Sequence, residues 1–136
     1  MQWQYVTAEG TPLAWEHIAD GVRKGLERGC GDSMTEAWLR KVLQSGDAQL
    51  WVRVEDDSSI TGSIILAVVD REKGKAIEVL MTTGDWWKDS MAMDKLKAYA
   101  QQIGAYTVEA IVRNGVVGRL TAEGWRQKAV VMDLEV

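Results

Sequence analysis

The spacing of apolar and polar residues divides the first 83 residues into a strand, two helices and three more strands. Alternation predicts half-buried strands, apolar residues three or four apart predict amphipathic helices, and a nearly continuous apolar run predicts a strand covered on both faces. Glycine-rich and polar segments separate these elements. The predicted elements are a strand over 2–7, a helix opened by Thr11 and Pro12 that ends in the turn 28–33, a helix between Thr35 and Gly46, and strands over 48–56, 60–70 and 76–83.

The second half of the chain alternates helices with strands. Leu96, Ala100 and Ile103 recur at helical spacing, and Gly104 is placed to end that helix. No repeat, low-complexity segment or linker interrupts the chain, so residues 1–136 are predicted to form one domain. The predicted elements are a helix over 86–103, a strand over 106–112, a shorter helix over 114–125 and a strand over 129–136.

Composition and charge exclude several classes of protein. The net charge of −4 argues against a general nucleic-acid binder, which normally carries a basic surplus. The N-terminus lacks the features of a signal peptide, and no apolar run reaches the roughly 18–20 residues that span a bilayer. The single cysteine cannot form an internal disulfide. These features predict a cytoplasmic protein without a membrane segment.

The order β-α-α-β-β-β-α-β-α-β, at this length, resembles the GNAT superfamily of N-acetyltransferases. The stretch "KLKAYAQQIGAYTVEAIV" is similar to the family's long helix, its closing turn and its fifth strand. The stretch "RLTAEGWRQKAVVMDLEV" is similar to its fourth helix, its glycine–aromatic corner at Gly124 and Trp125, and its closing strand. The resemblance implies an α/β (α+β) fold with a mixed central sheet of about six to seven strands flanked by about four helices.

A narrower likeness concerns three short stretches. "QLWV" at 49–52, the region "GDWW" at 84–87 and the Gly–Trp pair after a short helix resemble small GNAT-like proteins encoded in bacteriophage genomes. Some of those phage proteins are encoded among virion-assembly genes. The resemblance therefore implies either a small ligand or a phage structural protein as the partner, and it leaves the oligomeric state open.

The family resemblance also implies a cofactor site for acetyl-CoA at the junction of the fourth strand and the long helix. In the family, backbone N–H groups at the N-terminus of that helix bind the pyrophosphate, and the helix dipole favours the negative charge. A metal is not expected, because His17 and Cys30 are the only residues of their types. The candidate cofactor-binding residues are Met81, Thr82, Thr83, Gly84, Trp86, Trp87, Lys88, Asp89, Ser90, Asn114 and Arg119.

The pyrophosphate motif of the family, Q/R-x-x-G-x-G/A, is degenerate in this chain. An ungapped match anchored at Gly104 places the motif's first position at Gly84 and its two glycines at Trp87 and Asp89. The glycines let a phosphate approach the backbone closely, and a carboxylate carries the wrong charge beside a diphosphate. Lys88 offers a compensating point charge.

The catalytic groups that the family would imply are also incomplete. Many members carry a tyrosine acid four residues before the glycine of the corner, and here that position is Leu120, which cannot donate a proton. Glu78 and Glu109 are candidate bases by position in the fourth and fifth strands. The alternative is that both glutamates are solvated strand residues or partners in salt bridges.

The turn "GDWWKDS" has two interpretations. In the first, Asp85 is the N-cap of the long helix and the tryptophans pack over its first turn. In the second, the tryptophans line a cleft for a ligand. Adjacent helical positions point about 100° apart, so one of Trp86 and Trp87 is expected to be buried and the other exposed on a contact surface.

Two hypotheses about function remain open on these grounds. The first is an acyl-CoA-dependent N-acetyltransferase-like protein of phage type with a degenerate pyrophosphate loop. The second is a non-catalytic virion or assembly protein that keeps the same fold, because an intact core is compatible with either function.

Overall fold

The computed structural model describes residues 1–28 and 34–136, including the backbone but not the side chain of Trp87. Cys30, and all but the first residue of the turn predicted at 28–33, lie outside this part of the chain. The described helices and strands follow the predicted order as far as the last helix. They are β1 (Gln2–Val6), α1 (Thr11–Arg28), α2 (Glu36–Ser45), β2 (Gln49–Val54), β3 (Ile60–Arg71), β4 (Gly74–Thr83), α3 (Ser90–Ile103), β5 (Thr107–Ala110) and α4 (Asn114–Ala122).

The five strands form one mixed sheet in the order β1-β2-β3-β4-β5. The first four strands pair antiparallel with their neighbours in sequence. β4 and β5 pair in parallel, from Ala76 beside Thr107 to Val79 beside Ala110, and α3 connects them. A helix between two consecutive strands predicts that the strands are parallel neighbours joined by a crossover, and this prediction is confirmed.

Apolar side chains on each face of the sheet form a separate core. On one face, α1 and α2 cover β2, β3 and β4, with Val22, Leu39 and Ile65 fully buried. On the other face, α3 and α4 cover the sheet, and Leu96 and Val116 pack in that core. The sheet is therefore a middle layer, and only its ends and edges remain open to ligands.

The last predicted strand, over 129–136, is not formed. The residues after Trp125 have no regular secondary structure and are exposed, with Val130 at 72% and Met132 at 87% of full exposure. A strand needs a neighbour for its backbone groups, and in the described part of the chain β5 pairs only with β4. Within the described part of the chain, the sheet therefore has five strands instead of about six to seven, while the expected count of about four helices agrees.

The long helix begins later than predicted. A short 3₁₀ turn over Trp86–Lys88 precedes α3, which starts at Ser90. Asp89 is the N-cap of α3, and the side chain of Asp85 makes no capping hydrogen bond, so the expectation that Asp85 caps this helix was wrong. The 3₁₀ turn separates Asp85 from the first free amides of α3. The final helix likewise ends earlier, at Ala122.

Candidate functional site

A cleft of about 600 Å³ opens where β4 and β5 separate. The pairing of the two strands ends at Val79, whereas β4 continues to Thr83. The chain beyond β5, over 111–113, forms the opposite wall, and α1 and α2 close a third side. A cleft at the carboxyl ends of parallel strands is a common place for ligands in α/β proteins.

An irregularity in β4 lies at the point where the cleft begins. Leu66 pairs with Val79 and its neighbour Ile65 pairs with Met81, so Leu80 is an extra residue in β4. Such a bulge increases the local twist of the strand and changes the direction of its side chains, and bulges are common beside active sites. The bulge therefore helps β4 to turn away from β5.

Two glycines on α1 allow this helix to lie close against β4. A Cβ atom at Gly21 would be 2.9 Å from Cγ2 of Thr83, and one at Gly25 would be 2.8 Å from Sδ of Met81. Glycines four residues apart share one face of a helix. Their close approach brings Lys24 and the C-terminal end of α1 to the rim of the cleft.

The turn that follows β4 requires glycine. Gly84 has a φ of +77°, and a Cβ atom there would lie 2.5 Å from the backbone oxygen of Thr61 in β3. Both the positive φ and the lack of space exclude other residues. The chain is thereby directed across the end of the sheet toward α3.

Asp89 occupies the N-terminus of α3, where the resemblance places a pyrophosphate. Its Oδ1 accepts hydrogen bonds from the amides of Met91 at 2.9 Å and Ala92 at 3.2 Å. Its Oδ2 accepts from Nε1 of Trp3 at 2.9 Å and from Nη1 of Arg53 at 3.2 Å. The residue is 9% exposed, so this is a buried carboxylate bound by both backbone and side chains.

The surroundings of Asp89 favour its ionised form. Burial removes water and by itself raises the pKa of this carboxyl, but the hydrogen bonds from Trp3, Arg53 and the first amides of α3 outweigh that effect and leave the pKa lowered. Arg53 is positioned by further bonds to Oγ1 and to the carbonyl oxygen of Thr61, at 2.9 and 3.0 Å. A negative charge of the protein itself thus lies at the positive end of the helix dipole.

Trp86 is the buried member of the tryptophan pair. It is 2% exposed and packs edge-to-face on Trp125, with ring centroids 5.7 Å apart. Nε1 of Trp125 lies 3.3 Å from the sulfur of Met93 in α3. The corner at Gly124 and Trp125 is therefore attached to the turn after β4, and the burial expected for one of the two tryptophans is found at Trp86.

The two candidate bases are neighbours in the sheet and share a cation. Glu78 and Glu109 are directly paired in the register of β4 and β5. Arg71 lies 3.8 Å from the Glu78 carboxylate and 3.6 Å from that of Glu109, and Nζ of Lys128 lies 3.2 Å from Glu109. Of the two glutamates, the described lining of the cleft includes only Glu78.

Leu120, at the position of the family's tyrosine acid, is 4% exposed and belongs to the core beneath α4. It packs there with other apolar side chains and has no proton to donate. The described residues contain no group of three or more side chains arranged to bind a metal ion. In the same part of the chain, no helix combines the length and the apolar character needed to cross a bilayer.

The structure brings some of the predicted cofactor residues to the cleft and places others elsewhere. The described lining includes Met81, Thr82, Thr83, Gly84 and Trp86. It does not include Lys88, Asp89, Ser90, Asn114 or Arg119, and the side chain of Trp87 is outside the described part.

Sequence reasoning missed the contribution of α1 and α2 to the cleft. Its lining also includes Gly21, Lys24, Gly25, Arg28 and Trp38. The spacing of Gly21 and Gly25 was the available signal, because two glycines four residues apart in a helix indicate close packing on that face.

Comparison with known proteins gives matches among solved structures only. No protein-family model matches the chain, and no curated protein matches it. A probable acetyltransferase has a TM-score of 0.71 at 12% identity, covering 100% of this chain and 97% of that chain. An aminoglycoside acetyltransferase from an uncultured soil metagenomic sample, in complex with sisomicin, has a TM-score of 0.71 at 10% identity, covering 99% and 95%. The ribosomal-protein-alanine N-acetyltransferase from Brucella melitensis biovar Abortus 2308 has a TM-score of 0.66 at 12% identity, covering 100% and 99%.

These matches extend over nearly the whole chain in each case. The protein therefore has the fold of GNAT-type N-acetyltransferases, as the order of its elements predicted. At 10–12% identity the likeness concerns the fold, and the chemistry must be argued from the cleft itself.

Proposed function

We propose that the protein binds an acyl-CoA, with acetyl-CoA as the natural candidate, and transfers its acetyl group to an amine in the β4–β5 cleft. The observation that carries this proposal is the cleft of about 600 Å³ at the separation of the two parallel strands. Its volume lies in the range of small-molecule sites, and its walls combine apolar and polar groups as such sites do. The end of β4 after the bulge, together with Gly84, is the proposed wall for the acyl-pantetheine arm.

Individual residues of the site have proposed roles. Glu78 is the proposed base, acting through water on the acceptor amine, because it is one of the lining residues of the cleft. Glu109 is a weaker candidate for the same role, since two cations already pair with it. Asn114 and Arg119 on α4 are proposed contacts of the CoA. In the absence of a tyrosine at position 120, the thiolate would leave without that acid, so slow transfer is expected.

We further propose that α3 does not bind the pyrophosphate in the manner of the family. The amides of Met91 and Ala92 already donate to Asp89, and a diphosphate would have to displace that carboxylate from Arg53 and Trp3. The neighbouring residues Trp87, Lys88 and Ser90 would then contact the ligand only at the edge of the site. CoA would therefore be bound mainly through its acyl-pantetheine arm.

The test is to measure dissociation constants by titration calorimetry for acetyl-CoA and for S-acetylpantetheine, which lacks the diphosphate and the nucleotide. Both are expected to bind, with dissociation constants within about threefold of each other, because the diphosphate is proposed to add little. A working diphosphate site that contributed about 1.4 kcal/mol would already lower the constant tenfold. Acetyl-CoA binding more than tenfold tighter would show that the pyrophosphate site works. If neither compound binds at millimolar concentration, the acyl-CoA proposal fails.

A restored motif provides the matching gain of function. In Trp87→Gly with Asp89→Gly, the first amides of α3 are released, and affinity for acetyl-CoA is expected to rise while that for S-acetylpantetheine stays unchanged. An equal change for both ligands would contradict the assignment of this turn to the diphosphate.

The second candidate function is a non-catalytic virion or assembly protein of phage type. The observation that favours it is the combination of an internal carboxylate at the phosphate position with a buried leucine at the acid position. Under this proposal the protein is present in the host cytoplasm during assembly or in the virion itself. Mass spectrometry of purified phage particles, together with an acetyl-transfer assay, separates the two functions. Association with the particles without acetyl transfer supports the structural role, and acetyl transfer without association supports the enzyme.

A further inference from the structure

Three basic side chains line the cleft. Lys24 and Arg28 project from α1, and Arg113 follows β5 on the opposite wall. Within residues 1–28 and 34–136, no carboxylate forms an ion pair with any of the three. Because Lys24 and Arg28 are four residues apart, they project from the same side of the helix.

Among the described lining residues, the carboxylates are fewer than the cations. Glu78 and Asp85 are the carboxylates among the described lining residues, and Glu78 already has Arg71 within 3.8 Å. The protein as a whole has a net charge of −4, whereas the described lining of the cleft holds three cations and two carboxylates. A surplus of cations in a concave site attracts ligands of negative charge.

The fold holds these cations in place at the cleft. Gly21 and Gly25 bring α1 against β4, and Lys24 and Arg28, each three residues after one of these glycines, line the cleft beside it. Trp38 on α2 lies at the same wall and is 42% exposed, which leaves a large apolar ring with an N–H donor open at the cleft. Charge, donor and apolar surface thus meet on the side of the cleft opposite α3.

We propose that the cleft binds the acyl acceptor between α1 and the chain that follows β5, and that the acceptor is a small amine that also carries a carboxylate or a phosphate group. Lys24, Arg28 and Arg113 bind the anionic group, and the amine extends toward Glu78. The assignment as an acceptor rests on the proposed acetyl transfer, whereas binding of the anionic amine itself does not.

The experiment uses three small amines and no acyl donor. Phosphoethanolamine, β-alanine and ethanolamine carry a phosphate, a carboxylate and no anionic group, respectively. Binding is followed by the indole N–H signal of Trp38 in ¹⁵N-labelled protein, assigned with Trp38→Tyr, at a fixed ionic strength. The dissociation constant obtained from this signal is expected to be at least tenfold lower for phosphoethanolamine or β-alanine than for ethanolamine. The stronger of the two identifies the anion that the site prefers.

Substitutions test whether the three cations are responsible. Two variants remove these charges: the double substitution Lys24→Gln with Arg28→Gln, and the single substitution Arg113→Gln. Each should raise the dissociation constant of the preferred anionic amine by about tenfold or more, because charge-assisted hydrogen bonds are lost. The matched control is Lys41→Gln with Lys97→Gln, which removes two exposed helical charges outside the described cleft lining and should leave the dissociation constant unchanged.

Three results would overturn the proposal: equal binding of ethanolamine, no effect of the cleft substitutions, or an equal effect of the control pair. Competition with acetyl-CoA assigns the site further. If acetyl-CoA displaces the anionic amine, the cations belong to the donor and the acceptor assignment is wrong. If the anionic amine binds while acetyl-CoA does not, the binding site stands and the proposed acetyl transfer fails.

Discussion

Replacing the buried Asp89 by alanine should destabilise the protein more than replacing Asp85, the exposed acidic residue of the same turn. The substitution removes the N-cap of α3, which typically contributes about 1 kcal/mol. It also leaves the indole N–H of Trp3 and one N–H of Arg53 without their acceptor, at about 1–3 kcal/mol for each buried donor. Arg53 keeps its two bonds to Thr61, which reduces the second cost. A loss of about 3 kcal/mol in the free energy of unfolding is therefore expected.

Asparagine at position 89 separates the two contributions. It caps a helix about as well as aspartate, so the first-turn amides keep an acceptor, but it removes the charge that faces Arg53. Asp89→Asn is therefore expected to cost about half as much as Asp89→Ala, or roughly 1–2 kcal/mol. An equal cost for both variants would show that the charge, and not the cap, carries the stabilisation.

The assay is equilibrium unfolding in urea, followed by circular dichroism and by tryptophan fluorescence, because coincident transitions justify a two-state free energy. Asp85→Ala is the matched control, since the side chain of Asp85 is exposed and makes no capping hydrogen bond. It should leave the midpoint nearly unchanged. If the free energy of unfolding of Asp89→Ala is within about 0.5 kcal/mol of the wild type, the hydrogen bonds around Asp89 do not stabilise the protein.

Three further predictions concern the same region. The pKa of Asp89 is lowered on folding, so its contribution to stability is complete above the unfolded value of about 3.9 and is lost as the pH falls below that value toward the folded one. The difference in unfolding free energy between the wild type and Asp89→Asn should therefore shrink between about pH 5 and pH 3. A constant difference in urea unfolding would contradict this. Gly84→Ala should lower the free energy of unfolding by more than about 2 kcal/mol, because the new Cβ would lie 2.5 Å from a backbone oxygen and the residue has a positive φ. Gly115→Ala, with open space around it in α4, should be neutral or stabilising by up to about 1 kcal/mol. Thermal unfolding of both variants measures the difference. Trp86→Ala should lower the free energy of unfolding by about 3–5 kcal/mol, because this side chain is buried. Trp38→Ser, at a position that is 42% exposed, should change the unfolding midpoint little. Equal losses of stability would show that Trp38 is also part of the core.

The sequence by itself determined the order of the elements and the parallel pairing of β4 with β5. Period-two and helical spacing record which face of each element is buried, and a helix of 14 residues between two strands leaves a parallel crossover as the natural connection. Gly104 likewise ends α3 in a left-handed conformation with φ of +73°, as a glycine at that position predicts. These features depend on residues close together in the chain.

Tertiary contacts decided between the two aspartates of the turn. Asp85 and Asp89 are both acceptable N-caps by residue type, and both lie before a helical pattern. Asp89 is the N-cap in the structure, and it is bound by Trp3 and Arg53, which are 86 and 36 residues away in sequence. No local pattern encodes those partners.

Tertiary contacts also decided which residues line the cleft and whether the end of the chain forms a strand. Lys24 and Arg28 reach the cleft only because Gly21 and Gly25 let α1 approach β4, and periodicity shows which face a helix buries without showing how closely it packs. The segment 129–136 has the alternation of a strand but no neighbour in the described chain. A strand pattern specifies side-chain directions, whereas the strand itself forms only when another backbone accepts and donates its hydrogen bonds.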